Sequence, residues 1–173
     1  MIIRQATKRD APAIAKVHVD SWRSTYKEIL PHEYLTSLSY KKRTTLWENN
    51  IADNTNYIVV SETDAGQITG FGTASKRVTN TVANSGDLTS IYLLDEYHGQ
   101  GIGKLLMKAL FLHFKQLNYE KIFVEVLEDN PTRFFYEYYG AQLIRTVQLQ
   151  FDEKVVNELI YEWKNIDRVL EKL

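Results

Sequence analysis

The sequence predicts a mixed α/β fold with helices packed on one central sheet. Three observations carry this expectation. Apolar residues recur with a helical period from Ile14 to about residue 51, and the period changes to that of a strand at Tyr57. The elements then run in the order strand, helices, three strands, helix, strand, helix, two strands, without the regular βαβα alternation of a doubly wound sheet. Finally, 173 residues fit one domain, and neither a repeat nor a Pro/Gly/Ser-rich linker divides them.

Taken in order, residues 2–5 are a short strand, and Thr7 with Asp10 three positions on resembles a capping box. Ile14, His18, Trp22 and Tyr26 recur every four residues, along one face of the helix that follows. Pro31 opens a second helical stretch, and residues 40–51 form a third. Tyr57 to Val60 is a β run; Asp64-Ala65-Gly66-Gln67 supplies a turn, and Ile68 to Ala74 completes a hairpin. Leu88 to Leu93 is a strand, followed by a glycine-rich turn and a helix from about Gly103 to Leu117. Ile122 to Leu127 is another strand. Pro131 to Tyr139 is a short helix, with Pro tolerated in its first turn and Gly140 suited to the C′ position. Strands near 142–151 and 155–162 and an amphipathic C-terminal segment finish the chain. Ile166, Val169, Leu170 and Leu173 form its apolar stripe. Burial within the same chain is the default for that stripe, and a homodimer contact is the other reading.

Composition excludes several classes. With 21 basic and 22 acidic residues the net charge is −1, against the basic footprint of a nucleic-acid binder. The absence of Cys removes a disulfide framework, a thiol nucleophile and a cysteine-ligated zinc site. His18, His32 and His113 lack metal-ligand spacing, so no metal is expected. No apolar h-region follows the first basic residue, and no stretch approaches a membrane span, so a soluble cytoplasmic protein is expected. The 11 Tyr suit amphipathic packing, or less often the lining of a cleft.

His98-Gly99-Gln100-Gly101-Ile102-Gly103-Lys104 joins a strand to a helix. Glycines at alternate positions let the backbone turn sharply and approach a ligand, and the N–H groups of such a turn can cradle phosphate oxygens. A Walker A loop needs Gly at 98 and Ser or Thr at 105, where His98 and Leu105 stand. The dinucleotide fingerprint would need Gly at 104, which is Lys104. Taken alone, the run reads equally as a plain strand–helix turn.

The run resembles the Q/R-x-x-G-x-G/A loop of the GNAT (GCN5-related N-acetyltransferase) superfamily, with His98 in the first position and Gly101 and Gly103 as the glycines. Asn130-Pro131-Thr132-Arg133-Phe134-Phe135-Tyr136-Glu137-Tyr138-Tyr139-Gly140 resembles that superfamily's "NPxRxFYExxG" segment. Weaker likeness extends through Arg4-Gln5-Ala6-Thr7, Val17 to Arg23 and Glu158 to Trp163, so it spans nearly the whole chain.

The resemblance implies a mostly antiparallel sheet of about seven strands, splayed between the fourth and fifth. It implies a GNAT domain over residues 1–165, with 166–173 as a helical extension. Acetyl-CoA would be the co-substrate, and a primary amine of a small molecule or peptide the acceptor, attacking the thioester carbonyl directly in a ternary complex. His98, Gly99, Gln100, Gly101, Ile102, Gly103 and Lys104 would hold the pyrophosphate. The backbone of Ile91, Tyr92 and Leu93 would pair with the pantetheine arm and polarise the thioester carbonyl. Asn130 would hydrogen-bond coenzyme A, and Tyr136 would serve the departing thiolate. Core packing beside Phe134 and Phe135 is the competing, less favoured reading of Tyr136.

Asp87 aligns with the base of part of the superfamily, although Ser85-Gly86-Asp87 also reads as a turn. Glu125 is ranked below it, because strand alternation can aim that side chain away from the cleft. Trp22, Tyr26 and Tyr34 would wall the acceptor, although a Trp–Tyr stripe at helical spacing is more often core. A catalytically silent acyl-CoA sensor is the alternative function, and the same fold can take acyl groups longer than acetyl.

Overall fold

The computed structural model describes residues 1–76, 80–151 and 153–173. Seven strands form one sheet: β1 (Ile2–Gln5), β2 (Tyr57–Glu62), β3 (Ile68–Ser75), β4 (Ser85–Leu93), β5 (Lys121–Leu127), β6 (Gln142–Phe151) and β7 (Lys154–Trp163). Their spatial order is β1-β2-β3-β4-β5-β7-β6. Among the described residues only the β4–β5 pair is parallel. A parallel pair requires a crossover, and α4 (Ile102–Gln116) supplies it. The remaining helices are α1 (Ala11–Thr25), α2 (His32–Thr36), α3 (Tyr40–Ala52), α5 (Thr132–Tyr138) and α6 (Ile166–Lys172).

The two faces of the sheet carry separate cores. Leu88, Ile122 and Val124 meet Leu106, Leu110 and Phe111 of α4 on one face. Ile166, Val169 and Leu173 of α6 join the same cluster, so the C-terminal stripe is buried within its own chain. On the opposite face Ile58, Val60 and Phe71 meet Ile14 and Val17 of α1 and Trp47 of α3. The alternation Ile58, Val59, Val60 divides between these clusters, as a strand buried on both faces requires.

β4 departs from the sequence expectation. It begins at Ser85 rather than Leu88, so Ser85-Gly86-Asp87 is strand and not turn. Local preference favours a turn at these residues, but they pair with Lys121, Ile122 and Phe123 of β5, and Asp87 also pairs with Ser75 of β3. Ladder pairing to strands distant in sequence overrides the local propensity. Pairing between β4 and β5 ends at Leu88–Val124, whereas β3 continues to accompany β4 as far as Leu93. Beyond Leu88 the sheet therefore divides, which is the expected splay. A register shift between Thr73 and Ala74 sets Thr89 as the extra residue at the point of division. Gly70 lets β3 approach the far end of β4, since a Cβ there would lie 2.2 Å from Leu93 Cδ2 and 2.8 Å from Tyr92 O.

The first strand is tied to α1 by charge. Both guanidinium Nη atoms of Arg4 donate to the Asp10 carboxylate at 2.8 Å, and the Thr7 N–H donates to it at 2.7 Å. Arg4 Nε also donates to Glu62. The Arg4 hydrogen bonds hold the Asp10 carboxyl down at about 2 against an ordinary 3.8. A carboxyl depressed in the folded state stabilises the fold above its unfolded pKa, and that contribution is lost as the pH falls from about 4 towards 2. Asp10→Asn is therefore expected to lower unfolding free energy by about 1–2 kcal/mol at pH 7. In urea titrations its deficit against the parent narrows at pH 3.

Candidate active site

The division of the sheet creates a channel. Its walls are β4 from Thr89 to Leu93, β5 from Val124 to Val126, the end of α1 (Ser21, Thr25, Tyr26), and Asn130 with Tyr136. The edge of β4 that leaves β5 after Leu88 carries backbone groups that an extended ligand can pair with, as an added strand would.

At the far end of β4 the chain enters the glycine loop. Gly99 and Gly101 have φ of 73° and 78°, the left-handed region that glycine occupies at low cost. Gly101 is the N-cap of α4. The following N–H groups have no partner inside the helix, and the positive end of the α4 dipole lies with them. A Cβ at Gly99 or Gly101 would meet nothing within 4 Å, so backbone conformation, not crowding, selects glycine there. His98 Nε2 lies 3.2 Å from Leu93 O, a carbonyl that also accepts from Ser21 Oγ at 2.8 Å. These two contacts tie the loop to the end of β4 and to α1. Ile102 is buried, while Gln100 donates to Glu96 O at 2.9 Å, so these side chains brace the loop. A cradle of N–H groups at a helix N-terminus fits an anionic pyrophosphate.

Asn130 and Tyr136 line the channel from the β5–α5 side. Both are buried. Asn130 Oδ1 accepts from the Thr132 N–H at 3.0 Å, and its Nδ2 donates to Tyr26 Oη at 3.2 Å. The amide thus holds the start of α5 and the end of α1 together. Burial pushes the Tyr136 phenol above its usual range. Its ring stands edge-on to Trp163 at 5.8 Å.

A second cavity, of about 240 Å³, continues from the channel. Trp22, Tyr26 and Leu30 form one wall, Phe151 another, and Asp87, Glu125 and Glu158 are among its polar lining. Tyr26, Thr89, Tyr92 and Glu125 border both spaces. The expectation that alternation carries Glu125 away is corrected. Parallel pairing sets Asp87 opposite Phe123, and Glu125 lies two residues on, so it shares the Asp87 face. Asp87 is buried and accepts from Asn80 Nδ2 at 3.1 Å. Tyr34 is not among the lining residues; its ring packs on Phe151 at 5.4 Å and on Trp22 at 6.3 Å, behind the wall. His18 is a packed histidine. Burial holds it at about 3, and its Nδ1 accepts from Trp47 Nε1 at 3.1 Å.

Sequence reasoning missed Thr89, Leu30, Phe151 and Glu158. Thr89 has no local signal, because its bulge exists only against β3. Phe151 and Glu158 arrive through the β6–β7 hairpin, whose position beside β5 is a matter of topology.

Comparison with known proteins agrees with this geometry. The model of the acetyltransferase (GNAT) family matches residues 17–141. The uncharacterized N-acetyltransferase YuaI of Bacillus subtilis is 32% identical over 95% of this chain and 93% of its own length. An N-acetyltransferase acting on the alanine of ribosomal protein bS18 in Haemophilus influenzae is 33% identical over 49% of this chain and 54% of its own. In fold, the chain resembles the PaiA N-acetyltransferase of Thermoplasma acidophilum, solved with coenzyme A. That match has a TM-score of 0.78 and 24% identity, covering 94% of this chain and 98% of the other. The chain belongs to the GNAT acetyltransferase family. Its class of activity is N-acetyl transfer from acetyl-CoA. Among the described residues, no helix is long and apolar enough to cross a membrane.

Proposed function

We propose that the chain moves an acetyl group from acetyl-CoA to a primary amine of a small molecule or peptide, by direct attack in a ternary complex. One observation carries the reading: a channel beside the glycine loop meets a separate cavity at Tyr26, Thr89, Tyr92 and Glu125. Two substrates can approach one point from opposite ends.

In this reading His98 to Lys104 hold the pyrophosphate with loop N–H groups and the α4 N-terminus. The edge of β4 that β5 leaves, from Thr89 to Leu93, pairs with the pantetheine arm through groups other than the Leu93 carbonyl, which Ser21 and His98 already occupy. An N–H of that edge polarises the thioester carbonyl. An alkyl ammonium with a pKa of about 10.4 is neutral at pH 7 in only about one molecule in a few thousand, so its proton must be removed. Asp87 and Glu125 are the carboxylates for this step, directly or through water. Glu125 borders both spaces and Asp87 only the second, which favours Glu125 as the nearer acceptor. Tyr136 donates its phenolic hydrogen to the departing thiolate. Trp22 and Tyr26 offer aromatic faces to a cationic acceptor.

Calorimetric titration with acetyl-CoA, followed by thiol release over a panel of amines, tests the reading. Saturable one-to-one donor binding and turnover with at least one amine are expected. Binding without turnover on any amine would leave a silent acyl-CoA sensor, and no binding would remove the donor assignment altogether.

A further inference from the structure

The two phenols where the spaces meet are held as a unit. Tyr26 Oη and Tyr92 Oη are 3.4 Å apart, and Asn130 Nδ2 donates to Tyr26 Oη at 3.2 Å. Each ring is also braced from behind. Trp22 packs edge-on to Tyr26 at 4.9 Å, and the His18 ring stacks on Tyr92 at 5.8 Å with an interplanar angle of 7°. The anchors come from α1, β4 and the β5–α5 connection, so neither ring can swing aside without breaking contacts to the other elements. The other residues common to both spaces are Thr89, Val124, Glu125 and Val126, none of which carries a ring.

We propose that the Tyr26–Tyr92 pair is an acyl-length bar. It closes the end of the donor channel where the acyl group lies and restricts the donor to short acyl chains, acetyl above all. The inference rests on the acyl-CoA reading of the channel. With the thioester held on the β4 edge, the acyl carbons extend to the junction, at the end of a channel whose whole volume is only about 70 Å³. A methyl group can sit among Thr89, Val124 and Val126. A butyryl chain must either displace a braced ring or enter the acceptor cavity and exclude the amine. Rigid packing resists the first, because well-packed side chains relax little around added methylenes. Discrimination per methylene in such pockets is roughly 10–200-fold.

The test compares kcat/KM for acetyl-, propionyl- and butyryl-CoA with one fixed amine, in the parent chain, Tyr26→Phe and Tyr26→Ala. Calorimetric Kd values for acetyl- and butyryl-CoA are measured alongside. The parent is expected to prefer acetyl over butyryl by about 100-fold. Tyr26→Phe keeps the ring and holds that ratio within a few fold. Tyr26→Ala opens the bar and brings the ratio below about 10-fold, through a gain in kcat/KM for butyryl-CoA. Tyr26→Leu, which retains apolar bulk, gives an intermediate ratio and serves if the alanine variant does not fold. A parent that uses butyryl-CoA as well as acetyl-CoA overturns the bar, and so does a Tyr26→Ala variant that slows all three donors in proportion. Failure of the parent to bind any acyl-CoA removes the donor reading and the bar with it, whereas binding with a flat length profile removes the bar alone.

Discussion

Gly101→Val is expected to weaken acetyl-CoA binding at least 100-fold while leaving the protein folded. Gly101 has φ 78° and is the N-cap of α4. A β-branched residue in that conformation is strained by roughly 1–2 kcal/mol, and the loop relieves the strain by turning its peptide planes. The N–H groups then no longer converge on one point. Charge-assisted hydrogen bonds contribute about 1.5–3 kcal/mol each, so losing two accounts for 100-fold or more. The added side chain makes this worse for the donor alone, because its Cβ enters open space, which in the proposed reading is where the pyrophosphate approaches. Gly66→Val is the control. Gly66 has φ 82° in the β2–β3 turn and is not part of the channel lining, so it carries the same backbone strain without the same consequence. Similar losses of thermal stability in both variants, with donor affinity lost only at Gly101, are the expected pattern. Equal donor affinity in the two variants would take the pyrophosphate away from this loop.

Tyr136→Phe is expected to lower kcat about 100-fold, with a much smaller change in KM for acetyl-CoA. The phenyl ring preserves packing against Trp163, and only the hydroxyl is lost. The loss falls on the step in which the thiolate departs, so it appears in kcat rather than in ground-state binding. The pH dependence gives a second readout. Burial raises the Tyr136 pKa above its usual value of about 10, so the neutral, donating form persists to higher pH than in a free tyrosine. Between pH 6 and 9 the parent should therefore show no alkaline fall from this group, and the variant's deficit should be constant across the range. A deficit that vanishes towards pH 9 through an alkaline fall of the parent would mean that the phenol ionises within this range, against the raised pKa. An unchanged kcat would leave Tyr136 as a packing residue.

Much of the fold is legible locally. The change from a four-residue to a two-residue apolar period after α3 reflects the geometry of single elements, and β2 to β7 lie beyond it. Thr7 and Asp10, Pro31 before α2, and Gly140 with φ 91° after α5 act within one or two turns of chain. Gly99 and Gly101 are of the same kind, since positive φ is a demand that one residue meets alone. The site divides along the same line. The glycine loop and the Asn130 to Tyr136 segment are contiguous, so their spacing in the sequence is their spacing in space.

Tertiary structure decided the rest. Ser85-Gly86-Asp87 has turn character by itself and becomes strand only when β3 and β5 pair with it. The face on which Glu125 lies depends on the register of β5 beside β4, and a shift of one residue would reverse it. Tyr26 and Asn130, 104 residues apart, share a hydrogen bond that no local pattern announces. Phe151 and Glu158 border the second cavity because the β6–β7 hairpin returns beside β5. Backbone preferences act between near neighbours, so the elements and the positive-φ glycine loop were legible from the residues alone. The split in the sheet and the meeting of the two cavities were decided by pairing between distant strands, whose partners are chosen only when the whole core is buried.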